Sequence, residues 1–237
     1  MKTFGLIGKS LSHSFSARYF NKKFYKEKIT DAEYLNFEIN DISKFTHLIK
    51  TQKLSGLNVT IPYKESIIPF LDELTEDAKS IRSVNTIQFK NNKLIGHNTD
   101  IVGFKQSIFP ILGGRNSALI LGDGGAAKAV KLALKQLKIS FQTITRKGVF
   151  KYSDISTQEI DCNKIIINTT PLGMFPNTES YPKIPYKALT GKHLLFDLIY
   201  NPSETLFLKY GRAHNSKTKN GLEMLQIQAE ASWSIWK

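Results

Sequence analysis

The chain has 237 residues, 41% of them hydrophobic, and a formal net charge of +13. That length is generous for one domain and comfortable for two, and the apolar share excludes a disordered chain. No apolar run approaches the ~20 residues that span a bilayer, and Cys162, the single cysteine, allows no intrachain disulfide.

In chain order, KTFGLIG predicts a buried strand, and SFSARYFNKKFYKE a helix with Phe15, Tyr19, Phe20 and Phe24 near one face. AEYLNFEI reads as a strand, and DISKFTHLIKTQ as a helix with Asp41 as N-cap. LSGLNVTIP is a third strand, ended by Pro62, which has no N–H for a ladder. TEDAKSIR is helical, and SVNTIQFKNNKLIGHN reads as two strands joined at a tight Asn-Asn turn. This alternation predicts an α/β domain with a mostly parallel sheet over residues 1–100. TDIVGFKQSIFPILGG is a helix running into a break at Gly113 and Gly114.

A second α/β domain is expected over residues 101–220. The strand SALIL, the turn GDGGAA, the helix KAVKLALKQLK and the strand ISFQTIT form one βαβ unit. KIIINTT and HLLFDLIY add apolar strands, and SETLFLKYGRAH is helical, with Ser203 as cap and Glu204 favourable near its start. The segment between Arg146 and Ile165 is short, as is HNSKTKNG, so brief late strands are expected. The final GLEMLQIQAEASWSIWK is a helix whose Leu222, Leu225, Ala229, Trp233 and Trp236 share a face.

Gly122-Asp123-Gly124-Gly125-Ala126-Ala127 matches G-x-G-x-x-A between an apolar strand and a strong helix, the context a dinucleotide turn requires. Glycines there permit a tight turn and close approach of a pyrophosphate, which meets the N–H groups and positive dipole end of the helix. A P-loop is excluded, because Ala127 and Ala129 stand where Gly and Ser or Thr are needed. The next strand ends in Thr145, Arg146 and Lys147 rather than the carboxylate that binds a free ribose, which favours a 2′-phosphate and hence NADP. Arg146 also offers a flat guanidinium to adenine. Alternatively, the two bases are solvated loop residues.

Polar residues recur where first-domain strands should end: Ser14 and Ser16, then Asn58, Thr60 and Lys64, then Asn85 and Asp100. Open parallel sheets bind ligands beyond the carboxyl ends of their strands. Hydroxyls, amides, one lysine and one carboxylate suit a polyhydroxylated, carboxylated small molecule. Singly, the serines also read as N-caps, the asparagines as turn formers, and Lys64 with Asp100 as a surface ion pair.

Together these pieces identify a family. SHSFS, NVTIPYK, VNT, NTD, GDGGAAKAV, TRK, INTTPLGM, DLIYNP and GLEMLQIQA span nearly the whole chain, and in this order it resembles shikimate dehydrogenase. NVTIPYK with NTD is the most specific part, and the glycine turn the least. The resemblance implies a substrate domain followed by a Rossmann-like NADP(H) domain, with the reaction in a cleft that closes against water and residues 221–237 returning to the first domain. It implies reduction of 3-dehydroshikimate to shikimate in chorismate and aromatic amino acid biosynthesis. Lys64 and Asp100 would form the catalytic pair, and Ser14 and Ser16 would hold the substrate carboxylate. Thr60, Asn85 and Gln228 would bind ring hydroxyls, Asn58 would support its strand end, and Tyr200 would reach the substrate. Gly122, Gly124, Gly125 and Ala126 would cradle the pyrophosphate, and Thr145, Arg146 and Lys147 would meet the adenosine phosphate. Asn168, Thr169, Thr170, Leu198, Gly221 and Met224 would lie around the nicotinamide half. The ammonium of Lys64 suits such a reduction, because hydride arriving at a ketone carbon puts negative charge on the oxygen.

Three features depart from the family's pattern. Asp123 stands where a small or neutral residue is usual, Lys128 replaces an arginine, and TRK replaces NRT. They bear on cofactor affinity rather than class. The nearest alternative is a quinate/shikimate-type dehydrogenase using NAD, against which TRK argues; a non-catalytic binder of the same fold would not need Lys64 and Asp100. The lysines are scattered, with NKKFYKEK the densest group, and no nucleic-acid motif surrounds it. A soluble cytoplasmic protein without nucleic-acid or membrane partners is expected, as a monomer or homodimer, with the charge serving to attract anionic substrates. The five histidines show no ligand spacing, and no metal is expected.

Overall fold

A computed structural model describes residues 1–11, 14–145 and 150–237. The chain divides into two compact units, Met1–Asp100 with Gln228–Lys237, and Ile101–Ile227.

The first unit is built on β1 (Lys2–Gly8), α1 (Phe15–Lys26), β2 (Ala32–Glu38), α2 (Phe45–Thr51), β3 (Leu54–Val59), β4 (Glu73–Leu74), α3 (Glu76–Ile81), β5 (Thr86–Lys90) and β6 (Lys93–His97). They form a six-stranded sheet in the order β2-β1-β3-β5-β6-β4. β1 pairs in parallel with β2 and β3, whereas β5 runs antiparallel to both β3 and β6. The reversal is made at Asn91 and Asn92, whose φ values of 51° and 60° are those of a tight hairpin turn. The site depends on it, because it brings the start of β5 and the end of β6 level with the end of β3. Asn58 pairs with Thr86, and Thr86 with His97.

Asp41 does cap a helix start, accepting from the Ser43 N–H at 2.8 Å, but it heads a short 3-10 turn, Ile42–Lys44, before α2 begins. The two-residue strand β4 was not foreseen, being too short for an alternating pattern.

α4 (Asp100–Ile108) leads into the second unit, which contains β7 (Ser117–Leu121), α5 (Gly125–Gln136), β8 (Ser140–Ile144), α6 (Thr157–Cys162), β9 (Ile165–Asn168), β10 (Leu194–Asp197), α7 (Leu206–Ala213) and β11 (Lys217–Lys219). Its sheet has the order β11-β10-β9-β7-β8, every pair parallel. Parallel strands buried on both faces read as unbroken apolar runs, and β9 and β10 are entirely buried. They are brief, as expected, at four residues each. β11 lies in the NSKTKNG stretch, whose polar composition hid it. The cap of α7 is Thr205 rather than Ser203: its Oγ1 accepts from the Leu208 N–H at 3.4 Å.

The last helix, α8 (Leu222–Trp236), passes from the second unit back to the first. Its buried side is less apolar than expected: Leu222 is exposed, while Gln228 and Ser232 are buried beside Ala229 and Trp233. In the first unit its end is fixed by Trp236. The ring stacks on Phe4 with centroids 5.0 Å apart, and its Nε1 donates to the Ile87 carbonyl at 3.0 Å. Gly56 leaves room for that ring, since a Cβ there would lie 2.5 Å from it. Among the described residues, no helix is long and apolar enough to cross a membrane.

Candidate active site

The first-unit site grows from the end of β3. A strand end leaves backbone groups that must find partners outside the regular ladder, and here Val59 donates to the Asn85 carbonyl at 2.9 Å and Thr60 to the Ile7 carbonyl at 2.9 Å. The turn after the strand carries Lys64, whose carbonyl accepts from the Val84 N–H at 2.8 Å. Its ammonium Nζ therefore reaches Asp100 Oδ2, at 2.6 Å.

This pair is not the surface contact its composition also allows. The side chains of Lys64 and Asp100 are 19% and 12% exposed, against 56% and 49% for the solvated pair Lys93–Glu73. Asp100 is the first residue of α4, where a carboxylate faces the positive end of the helix. Its Oδ1 accepts from Asn85 Nδ2 at 3.0 Å, and its own N–H donates to Asn98 Oδ1 at 3.1 Å. One carboxylate oxygen is thus held by the Asn85 amide and the other is turned to the lysine, while Asn98 holds the Asp100 backbone.

Behind the pair lies a network of buried polar groups. Asn85 Oδ1 accepts from the Thr99 N–H at 2.7 Å. Asn58 divides its amide N–H groups among Ser232 Oγ at 2.9 Å, the Asn85 carbonyl at 3.1 Å and Thr86 Oγ1 at 3.1 Å. Tyr34 donates its hydroxyl to Asn58 Oδ1 at 2.8 Å. The Tyr34 phenol also hydrogen-bonds Ser16, and burial raises its pKa beyond the ordinary phenol range. Ser14 caps α1, its Oγ accepting from the Ala17 N–H at 3.4 Å. Gln228 Oε1 accepts from Thr99 Oγ1 at 3.3 Å. Buried polar groups must be paired, and this chain of bonds ties the sequence-singled Ser16, Asn58, Asn85, Asp100 and Gln228 to one sheet end. Thr60 comes directly after β3 and is half-buried.

Tyr34, Thr86, Thr99 and Ser232 belong to the network and were not singled out. Thr86 and Thr99 lie inside the motifs VNT and NTD and were legible there. Ser232 was not, because a helical-face pattern selects apolar residues.

In the second unit Gly122, Thr145, Thr169 and Leu198 each follow directly on a strand end, and β7 lies between β8 on one side and β9 on the other, the kind of switch point at which open parallel sheets bind ligands. Gly122 follows the strand with φ of +105°, and a Cβ there would lie 2.8 Å from Thr169 Oγ1 and from the Thr170 methyl. Thr169 is held by its N–H and Oγ1, which donate to the Leu121 carbonyl at 2.9 and 2.8 Å. Among the described residues, a Cβ built on Gly124 or Gly125 meets nothing within 4 Å. Gly124 is the N-cap of α5, no side chain caps the helix, and Ala126 follows in its first turn, half-buried. Free helix-end N–H groups beside open space fit a dinucleotide diphosphate. Asp123, exposed, forms an ion pair with Lys131 of α5.

Thr145 donates its N–H to the Phe150 carbonyl at 3.0 Å; Arg146 and Lys147 lie outside the described residues. Asn168 is fully buried. Its Nδ2 donates to Asp197 Oδ1 at 3.1 Å, and its Oδ1 accepts from the N–H and Oγ1 of Thr170 at 3.0 and 2.6 Å. It therefore shapes the strand end from behind. Asp197, not singled out in the sequence, also accepts from Thr205 Oγ1 at 2.6 Å, yet burial pushes its carboxyl up to about 6. Leu198 and Gly221 are in close contact: a Cβ on Gly221 would lie 2.1 Å from the Leu198 carbonyl oxygen. Met224 is buried and Tyr200 half-buried.

The chain was compared with known proteins. Residues 6–87 match the family model "Shikimate dehydrogenase substrate binding domain". A curated NADP(+) shikimate dehydrogenase of Clostridium beijerinckii is 41% identical, covering 100% of this chain and 92% of that relative. Among solved structures, a shikimate dehydrogenase in complex with NADP+ superposes with a TM-score of 0.88 at 33% identity, covering 100% of this chain and 90% of that one. The shikimate dehydrogenase of Aquifex aeolicus gives 0.87 at 33%, covering 100% and 92%.

Proposed function

Because this chain belongs to the shikimate dehydrogenase family of oxidoreductases, we propose that it interconverts 3-dehydroshikimate and shikimate with NADP(H), using Lys64 and Asp100 as its acid–base pair. The observation that carries the proposal is the shielded 2.6 Å contact between Lys64 Nζ and Asp100 Oδ2, with the other carboxylate oxygen held by the Asn85 amide.

Bound NADPH supplies a hydride to the ketone carbon. This chain's residues do the rest. As the carbonyl oxygen gains negative charge, the Lys64 ammonium stabilises it and donates a proton, closing the hydroxyl. Asp100 keeps the ammonium oriented, and Asn85 keeps Asp100 oriented. The partial exposure of the Lys64 side chain gives it access to water for reprotonation. In the oxidative direction the roles reverse: Lys64 accepts the hydroxyl proton as the hydride leaves the carbon.

Ser14 and Ser16, at the positive end of α1, suit the substrate carboxylate, and Thr60, Asn85 and Gln228 suit ring hydroxyls. Tyr200 is assigned to the substrate as well. The diphosphate is assigned to Gly122, Gly124, Gly125 and Ala126, and the adenosine phosphate to Thr145, Arg146 and Lys147. Thr169, Thr170, Leu198 and Met224 are assigned to the nicotinamide half, with Asn168 and Gly221 shaping that surface from behind.

The experiment is a rate comparison followed by nicotinamide absorbance, with shikimate or quinate as substrate and NADP or NAD as cofactor. Shikimate with NADP is expected to be the fastest pair. Faster turnover of quinate with NAD would overturn the substrate and cofactor assignment together.

A further inference from the structure

A diphosphate site has no use for a carboxylate, yet Asp123 stands between Gly122 and Gly124 with its side chain 51% exposed. A diphosphate in the same turn would bring like charge within a few ångströms, at a cost that rises as water is displaced. The structure gives Asp123 a specific counter-charge: Lys131 Nζ, eight residues along the chain, forms an ion pair with its Oδ1. Helical side chains lean toward the N-terminus, so a lysine in the second turn of α5 reaches back to the glycine turn. The Lys131 side chain is only 26% exposed, so it lies along the helix rather than in open solvent.

We infer that Lys131 is a positioning residue for the cofactor: it draws the Asp123 carboxylate aside and cancels its charge, so that the diphosphate meets a neutral, open helix end. This rests on the placement of the diphosphate at Gly122–Ala126. The pair makes Asp123 tolerable there, and it makes the worth of Lys131 conditional on Asp123.

That condition is testable by a double-mutant cycle on the full chain, reading the NADPH Kd from the fluorescence of bound cofactor, with thermal melts confirming each fold. Lys131→Met keeps the aliphatic stem and removes the charge; the Kd is expected to rise about tenfold, the equivalent of one unscreened repulsion. The defect should shrink in high salt, which screens an exposed charge. Asp123→Asn should leave the Kd within about threefold of wild type, and the double variant should return to that range, because the interaction is pairwise. A Kd for Lys131→Met within about twofold of wild type would overturn the inference. So would a double variant as weak as Lys131→Met alone, since Lys131 would then contact the cofactor itself. Gly125→Val separates the two levels. If it leaves NADPH binding intact, the placement of the diphosphate fails; if it weakens binding while Lys131→Met does not, only the role of Lys131 fails.

Discussion

The end of β3 is crowded with side chains, whereas the end of β7 is bare. At the first, Asn58, Asn85, Thr86, Thr99, Asp100, Gln228 and Ser232 bond to one another with little access to water. At the second, no described residue fills the space where side chains of Gly124 and Gly125 would be, and the groups left to meet a ligand are backbone N–H and a helix end. A polyhydroxylated ring differs from its analogues in where its hydroxyls lie, so its site needs side chains of fixed orientation. A diphosphate is two charged groups that any close backbone can meet. The first site should therefore be damaged by removing side chains, and the second by adding them.

The largest effect is expected from Lys64→Ala. Loss of a general acid–base group typically costs 10²–10⁴-fold in rate, and turnover should fall within that range while the NADPH Kd, measured by fluorescence, stays unchanged. A parallel loss of NADPH binding would blur the division between the two regions. Next is Gly125→Val. Because a Cβ at that position meets none of the described residues within 4 Å, the fold and its melting temperature should be retained. The NADPH Kd should rise by about tenfold or more, with shikimate affinity unaltered, since bulk then stands where the proposed site brings the backbone to phosphate.

The smallest effect concerns stability. Burial raises the Asp197 carboxyl from an ordinary 3.8 to about 6. In that window the folded state holds more protons than the unfolded chain, so the group's contribution to stability falls as pH rises from about 4 to about 6. Asp197→Asn removes this dependence. The difference in unfolding free energy, variant minus wild type, should climb by up to about 3 kcal/mol across that range, read from denaturant melts. A flat difference would mean that the hydrogen bonds Asp197 accepts from Asn168, Thr205 and the Ile199 N–H offset its burial.

Most of the fold was legible in the sequence because apolar runs and turn residues coincide. SALIL ends at Gly122, and the hairpin of β5 and β6 turns at Asn91 and Asn92, which tolerate positive φ. β4 and β11 were not legible, since two or three residues carry no period. In the site, Lys64 and Asp100 were read from their motifs, but their shielding was not, because it depends on the antiparallel reversal of β5. Ser232 escaped for a related reason: only the packing of α8 against β3 reveals a hydroxyl facing Asn58. Asp123 was visible from the start as a misplaced charge, and only the structure supplied its partner.

The claim that Lys64 and Asp100 act as one unit is tested most directly by the turnover of Lys64→Ala, Asp100→Asn and the double variant with shikimate and NADP. If Asp100 acts through Lys64, the double variant loses no more than Lys64→Ala alone, as groups acting together are strongly non-additive. Losses that multiply would contradict it, leaving two residues that contribute independently.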